Sequence, residues 1–167
     1  ILKTSMNIHP SSVSRSLNRL QYMKDRYLQD NRVFFAMIPD KNYYLEKQTE
    51  VPYLDYENLE KLFREQTDEY AEFIDVKTEL SLNDYYKTDT HWRQERLEPA
   101  AEKIMLAMGN QFDFQFCENS VTDHFKGVYY GQGALPVKQD TLSYLTADYM
   151  EDCIVTCYDS GNAELLS

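Results

Sequence analysis

Apolar positions recur with a helical period, then cluster, then recur again along the first two thirds of the chain. In residues 11–30, Val13, Leu17, Leu20 and either Tyr27 or Leu28 form a stripe at helical spacing, and the pair Ser11-Ser12 stands where a helix cap is favoured. The run "NRVFFAMIPD" is short and apolar and stops at Pro39-Asp40, the pattern of a buried strand. The proline-bearing "KNYYLEKQTEVPYLD" predicts a loop. A second helix follows, with Leu59, Leu62, Phe63 and Tyr70 on one face and Asp55 or Asn58 as its cap. "FIDV" predicts a second short strand, and "KTELSLNDYY" a short helix or turn. In "HWRQERLEPAAEKIMLAMGN", Leu97, Ala101, Ile104 and Met108 align, and Gly109 stops the helix. Pro99 either kinks that helix or marks its true first turn.

Alternation of helix and strand predicts an α/β fold with a parallel sheet. The strand at 33–38 and the one near 73–76 are expected to be parallel neighbours, with the intervening helix on one face. Beyond Gly109 the texture changes. "FDFQF", "FKGVYYGQGAL", "TLSYLT" and "DCIVTCYD" are rich in aromatic or β-branched residues and predict strands or extended segments without clear helices between them. No internal repeat is visible, so the change near residue 110 falls within a single domain spanning 1–167.

Composition narrows the functional classes. The 167 residues are 43% apolar, enough for one core rather than two. The net charge of −11 removes the basic footprint of a nucleic-acid binder and a general attraction to anionic membrane. No apolar run approaches a membrane span. The start, "ILKTSMNIHPSS", lacks the layout of a signal peptide and reads as an interior cut in a longer chain. Cys117, Cys153 and Cys157 are an odd set without a CxxC, which argues against a disulfide framework. On one strand, Cys153 and Cys157 would lie about 13 Å apart, too far to bridge. All three are expected to be small apolar fillers.

Candidate chemistry concentrates in "NDYYKTDTHWRQE", residues 83–95. An imidazole takes a proton from a hydroxyl near neutral pH. It works best with its tautomer fixed by a carboxylate on the other ring nitrogen. Asp89 and His91, two apart, point to the same side of an extended segment and supply those parts, with His91 opening onto a cleft. The spacing equally fits a structural role, in which Asp89 caps a helix beginning near Trp92 and His91 is a half-buried first-turn residue. A metal held by Asp89, His91 and His124 would need three groups to converge without an HExxH-type signal; no metal ligand is assigned.

The surrounding residues bear on that choice. "YYKTDTHWRQE" resembles the motif of the family named for its Asp-His-His-Trp signature, and of related SGNH-like proteins that include alginate O-acetyltransferases. Tyr85, Tyr86, Thr88, Asp89, His91 and Trp92 match it, and Asp-Thr-His-Trp is the acetyltransferase-like spelling. "IPDKNYYL" and "FKGVYYGQGALPVKQDTLSYL" extend the resemblance loosely over residues 30–160. It implies an α/β SGNH-hydrolase-like (flavodoxin-like) three-layer sandwich, incomplete on its C-terminal side and strand-rich there. It also implies acyl transfer or ester hydrolysis on O-acyl groups of a surface carbohydrate, without a cofactor, in a secreted or cell-envelope protein. His91 would be the general base and then acid, and Asp89 its orienter. Trp92, Tyr85, Tyr86 and Tyr130 would contact the substrate, a carbohydrate or acylated glycan. The nucleophilic serine of such proteins follows the Asp and His, in a turn after a later strand. The one Asp-Ser here, Asp159-Ser160, matches an earlier strand and turn, so the nucleophile is expected outside the chain. The alternative is a non-catalytic carbohydrate-binding or cell-surface interaction protein with the same fold.

Overall fold

The computed structural model describes residues 5–6, 8–45, 53–111, 113–133, 137–150, 155–159 and 162–166. After β1 (Ser5–Met6), helix α1 (Pro10–Tyr27) begins on Pro10, whose missing N–H costs nothing in a first turn. His9 is the N-cap and offers no side-chain bond. The Ser11-Ser12 pair therefore lies inside the first turn, and the expected serine cap is corrected. Leu17 is buried and Tyr27 is 65% exposed. The inward stripe therefore runs through Leu17 and Leu20 to Leu28, just past the helix.

Strand β2 (Val33–Ala36) pairs in parallel with β4 (Ala71–Ile74), in the register Phe35 with Phe73 and Ala36 with Ile74. Between them come α2 (Asn42–Leu45), β3 (Tyr53–Leu54) and α3 (Tyr56–Thr67). The predicted parallel neighbours are thus present, with β4 beginning two residues earlier than "FIDV" suggested. The segment expected to be a loop contains α2 and β3, and β3 pairs in parallel with β1. Asp55 caps α3 as expected, accepting from the Asn58 N–H at 3.0 Å.

Period-2 alternation in β2 and β4 separates two apolar faces. Phe35 stacks on Phe63 of α3 at a centroid distance of 5.3 Å and contacts Phe73 at 5.8 Å. On the other face Ile74 joins Val76, Leu80 and Ala100 in the core, with Phe34, Ala36, Trp92, Leu97 and Ile104 packed against it. Helices thus cover both sides of the parallel pair. Val76, fully buried at 0% exposure, sits at the centre of the second face. Val76→Ala is expected to cost about 2 kcal/mol, from two lost methyl groups plus an unfilled cavity. Urea unfolding would measure it, and a change below about 0.5 kcal/mol would remove Val76 from the core.

Helix α4 (Glu98–Ala107) follows a 3-10 turn at Gln94–Arg96. Pro99 lies in its first turn, the second of the two predicted roles, and Gly109 ends the segment at φ +82°. Met108, expected on the inward stripe, is 41% exposed.

Strand β5 (Cys117–Phe125) forms an antiparallel ribbon with β6 (Asp140–Thr146). Helix α5 (Val128–Gly133) lies between them and replaces the extended segment predicted for "FKGVYYGQGAL". "FDFQF" forms no strand among its described residues. Strands β7 (Val155–Asp159) and β8 (Asn162–Leu166) pair antiparallel. Ser160 and Cys153 lie outside the described residues, as does the Cys157 side chain. Cys117 is exposed and fills no core. No helix among the described residues is long and apolar enough to cross a membrane.

Candidate active site

The loop from Ser81 to Arg93 carries the candidate residues, and its shape is set by bonds at both ends. Ser81 and Asp84 form a reciprocal capping box. The Arg93 N–H donates to the Asp84 carbonyl at 2.7 Å and the Tyr86 N–H to the His91 carbonyl at 3.1 Å. Tyr85 and Trp92 face each other across an isolated antiparallel bridge. The loop therefore closes on itself, with the Lys87–Thr90 segment at its tip.

Three other parts of the chain grip that tip. From the β6 end, the Asp140 carboxylate accepts from the Lys87 N–H at 3.0 Å and from the Thr88 N–H and hydroxyl, both at 2.7 Å. From the turn before α5, the Gly127 N–H donates to Thr88 Oγ1 at 3.0 Å, and from the first turn of α5 the Tyr129 N–H donates to the Thr88 carbonyl at 3.0 Å. From the turn after β2, Lys41 Nζ donates to the carbonyls of Tyr86 and Asp89 at 3.0 and 2.8 Å, while lying over the Tyr129 ring. Burial pulls the Lys41 ammonium below the usual lysine range, and the nearby Asp140 and Asp89 oppose that pull. Thr88 is 1% exposed, with every polar atom of its backbone and side chain engaged.

Asp89 and His91 emerge from this clamp as a pair. Asp89 Oδ1 lies 2.5 Å from His91 Nδ1 and accepts the His91 N–H at 3.0 Å; Oδ2 accepts the Val128 N–H at 3.0 Å. The Asp89 side chain is 9% exposed and the His91 side chain 77% exposed. A buried carboxylate beside Nδ1 of an exposed imidazole favours, in the neutral ring, the tautomer with its proton on that nitrogen, which presents Nε2 as the acceptor. Asp89 does not cap a helix beginning near Trp92, because the next element is the 3-10 turn at Gln94–Arg96. Burial alone would raise the Asp89 pKa. The N–H bonds from Val128 and His91 and the ring contact outweigh it and hold the group at about 2, against an ordinary 3.8.

The unfolded chain therefore binds a proton more readily than the folded one between those two values. The resulting stability, about 2 kcal/mol, is fully present above about pH 4 and is lost as pH falls toward 2. Urea midpoints followed from pH 5 to pH 2 should show this acid limb, and it should flatten in Asp89→Asn. An unchanged limb in that variant would mean that Asp89 does not carry it.

The remaining candidates divide. Tyr85 and Tyr86 are 5% and 6% exposed. The Tyr85 hydroxyl donates to the Pro39 carbonyl at 2.6 Å, and the Tyr86 ring packs on Phe125 at 5.1 Å, so both hold the loop. Trp92 is half-buried against the core. Tyr130, on α5, lies under Lys126 at 5.0 Å. His124, on β5, contacts Gln139 at 2.9 Å and does not join the pair. Among the described residues no three His, Cys, Asp or Glu side chains are placed to hold a metal ion. A cleft of about 770 Å³ is bounded by Tyr85, Tyr86 and Lys87 of the same loop, and the exposed His91 ring is not part of its wall.

Three residues of the clamp were not singled out in the sequence. Lys41 follows Pro39-Asp40 directly, so its place at a strand end is the only signal for it. Gly127 has one in "FKG", since glycine marks close backbone approach. Asp140 has none, because its partners lie more than fifty residues away.

No protein-family model matches the chain, and no curated protein matches it. Solved structures do. PatB1 of Bacillus cereus superposes with a TM-score of 0.71 at 17% identity, covering 98% of this chain and 61% of that one. PatB1 with a sulfonyl adduct gives 0.69 at 18% identity, covering 98% and 60%. The O-acetyltransferase domain of Pseudomonas putida AlgJ gives 0.59 at 18% identity, covering 84% and 59%. The chain has the fold of these structures, the α/β SGNH-hydrolase-like class, and spans about 60% of their length.

Proposed function

We propose that the chain carries the acid-base half of a serine-dependent O-acyltransferase or esterase acting on O-acyl groups of a surface carbohydrate. The observation that carries this is the buried Asp89 carboxylate 2.5 Å from Nδ1 of an imidazole whose other nitrogen faces solvent. His91 Nε2 takes the proton of an attacking hydroxyl, and the imidazolium that forms is stabilised by Asp89. His91 then returns that proton to the leaving alkoxide, and the acyl group passes to the acceptor by the reverse sequence. The Thr90 hydroxyl lies 3.3 Å from Nδ1 of the ring, which is the wrong nitrogen for attack. The nucleophile in this proposal is a serine outside these 167 residues, since Asp159-Ser160 matches an earlier strand and turn of the proteins that the motif resembles. A cell-envelope or extracellular setting follows from the proposed substrate, and the likeness to an O-acetyltransferase domain supports the acyl chemistry.

The test is a fluorophosphonate probe on the full-length protein. Labelling is expected at a serine beyond residue 167 and is expected to disappear in His91→Ala. Labelling that survives His91→Ala at the parental rate would end the proposal. A protein that neither labels nor cleaves any acetyl ester would instead be a carbohydrate-binding module on the same fold.

A further inference from the structure

The chain as a whole is acidic, with 28 Asp and Glu against 17 Lys and Arg. The cleft beside the Ser81–Arg93 loop inverts that balance. Lys41, Lys87, Arg93 and Arg96 line it, against Asp84 and Asp140 alone. The two acids are already engaged. Asp84 accepts from the Ser81 N–H and hydroxyl, and Asp140 from Lys87 and Thr88. Two of the cations are engaged as well. Lys41 is held by backbone carbonyls. Arg93 Nη2 lies 2.5 Å from a Glu95 carboxylate with 0% side-chain exposure, although Arg93 Nε and both Glu95 oxygens lack a hydrogen-bond partner among the described residues.

Arg96 remains, together with Lys87, whose charge also favours the Asp140 carboxylate. Both side chains are exposed, and neither forms an ion pair among the described residues. A volume of about 770 Å³ is far more than a bare ion needs and lies in the range of small-molecule sites. Ser81 and Asn83 add polar groups to its wall. Guanidinium and ammonium donors on a polar wall recognise an oxyanion, and a guanidinium can grip a carboxylate or phosphate by two bonds.

We infer that this cleft is a binding subsite for a saccharide unit carrying an oxyanion, a carboxylate or a phosphate ester, read by Arg96 and Lys87. It is separate from the His91 ring, and its occupancy does not require that His91 be catalytic.

Binding of three probes to the full-length protein, by calorimetry at low salt, tests the assignment without any turnover. The probes are a galacturonate trisaccharide, its fully methyl-esterified form, and galactose 1-phosphate. The acid trisaccharide or the sugar phosphate is expected to bind at least tenfold more tightly than the neutral ester. That preference is expected to fall at least tenfold in Arg96→Glu and in Lys87→Glu and to shrink with added salt. Whichever of the two anions binds identifies the source of the charge. Equal binding of acid and ester would overturn the inference. So would binding that is unchanged in both variants while their thermal unfolding matches the parent, or competition by inorganic phosphate as strong as by either sugar. Failure here with probe labelling intact would leave the acyl-transfer proposal standing, and the reverse result would leave the subsite standing.

Discussion

In the full-length protein, Asp89→Asn is expected to lower acyl turnover by about 10⁴-fold with KM little changed, the scale seen when a triad histidine is left in the wrong tautomer. The geometry shows why an isosteric change is so costly. Asp89 Oδ1 serves both the His91 N–H and the His91 ring, and Oδ2 serves the Val128 N–H. An ionised carboxylate accepts at both oxygens, and an amide accepts at one only. If the Asn oxygen takes the His91 side, its NH₂ group meets the Val128 N–H, donor against donor. If the amide is reversed, its NH₂ donates to Nδ1, moves the ring proton to Nε2, and removes the lone pair that would accept the nucleophile's proton. The first arrangement costs stability and the second costs catalysis. A pH profile separates them, because a general base lost through its tautomer is not restored by raising pH. A double variant with His91→Ala should fall little further than His91→Ala alone, since the two residues act as one unit. Turnover within tenfold of the parent in a folded Asp89→Asn protein would reduce the pair to a structural turn.

How far the sequence could be read follows from the range of each interaction. The β2 and β4 strands, the α3 cap on Asp55 and the break at Gly109 depend on neighbours in sequence, and period and capping chemistry reveal them. The Asp89–His91 contact is also local, two residues apart, so the residue types and spacing were enough to nominate it. Errors arose where distant packing overrode local texture. "VYYGQG" looks extended because it is aromatic and glycine-rich, yet it forms the short helix α5. The backbone donors leading into that helix are used at Thr88 and Asp89. The serine pair looked like a cap because serine caps well, but Pro10 one residue earlier starts the helix. Tyr85 and Tyr86 were expected at the substrate through the family resemblance. Burial at 5% and 6% shows them fixing the loop, a distinction that depends on Pro39 and Phe125, some forty residues away on either side. The clamp made by Lys41, Gly127 and Asp140 is long-range throughout, and no single window of sequence contains it.

Gly127→Ala is expected to disable the same site from a distance of thirty-eight residues in sequence, and without touching a titratable group. Gly127 is buried where the turn before α5 crosses the Thr88–Asp89 backbone. A Cβ at this position would overlap the Asp89 Cβ and the Thr88 carbonyl oxygen and come within 2.6 Å of Asp89 Oδ2. Two of those obstacles are backbone or directly attached to it, so no flexible side-chain tip can swing aside. The turn or the loop must shift. Any shift of the turn strains the bonds that Gly127 and Val128 make to Thr88 Oγ1 and Asp89 Oδ2, both 3.0 Å. Overpacking of this kind costs about 1–3 kcal/mol, and breaking a bond to a buried carboxylate adds about 1–3 kcal/mol. The summed loss is a large part of the stability of a domain this size. Asp89 should also lose part of what holds its pKa low, because the Val128 N–H is the strongest of the groups stabilising its charge. The acid limb of stability should therefore move to higher pH in Gly127→Ala, a shift that uniform destabilisation would not produce. Thermal unfolding at pH 7 and urea midpoints between pH 5 and pH 2 measure the two effects separately. Gly131, on the same short helix, has open space among the described residues where a Cβ would stand, so Gly131→Ala is the control and should leave both unchanged. A Gly127→Ala protein as stable as that control, with the same acid limb, would show that the turn before α5 does not hold the Asp89 carboxylate.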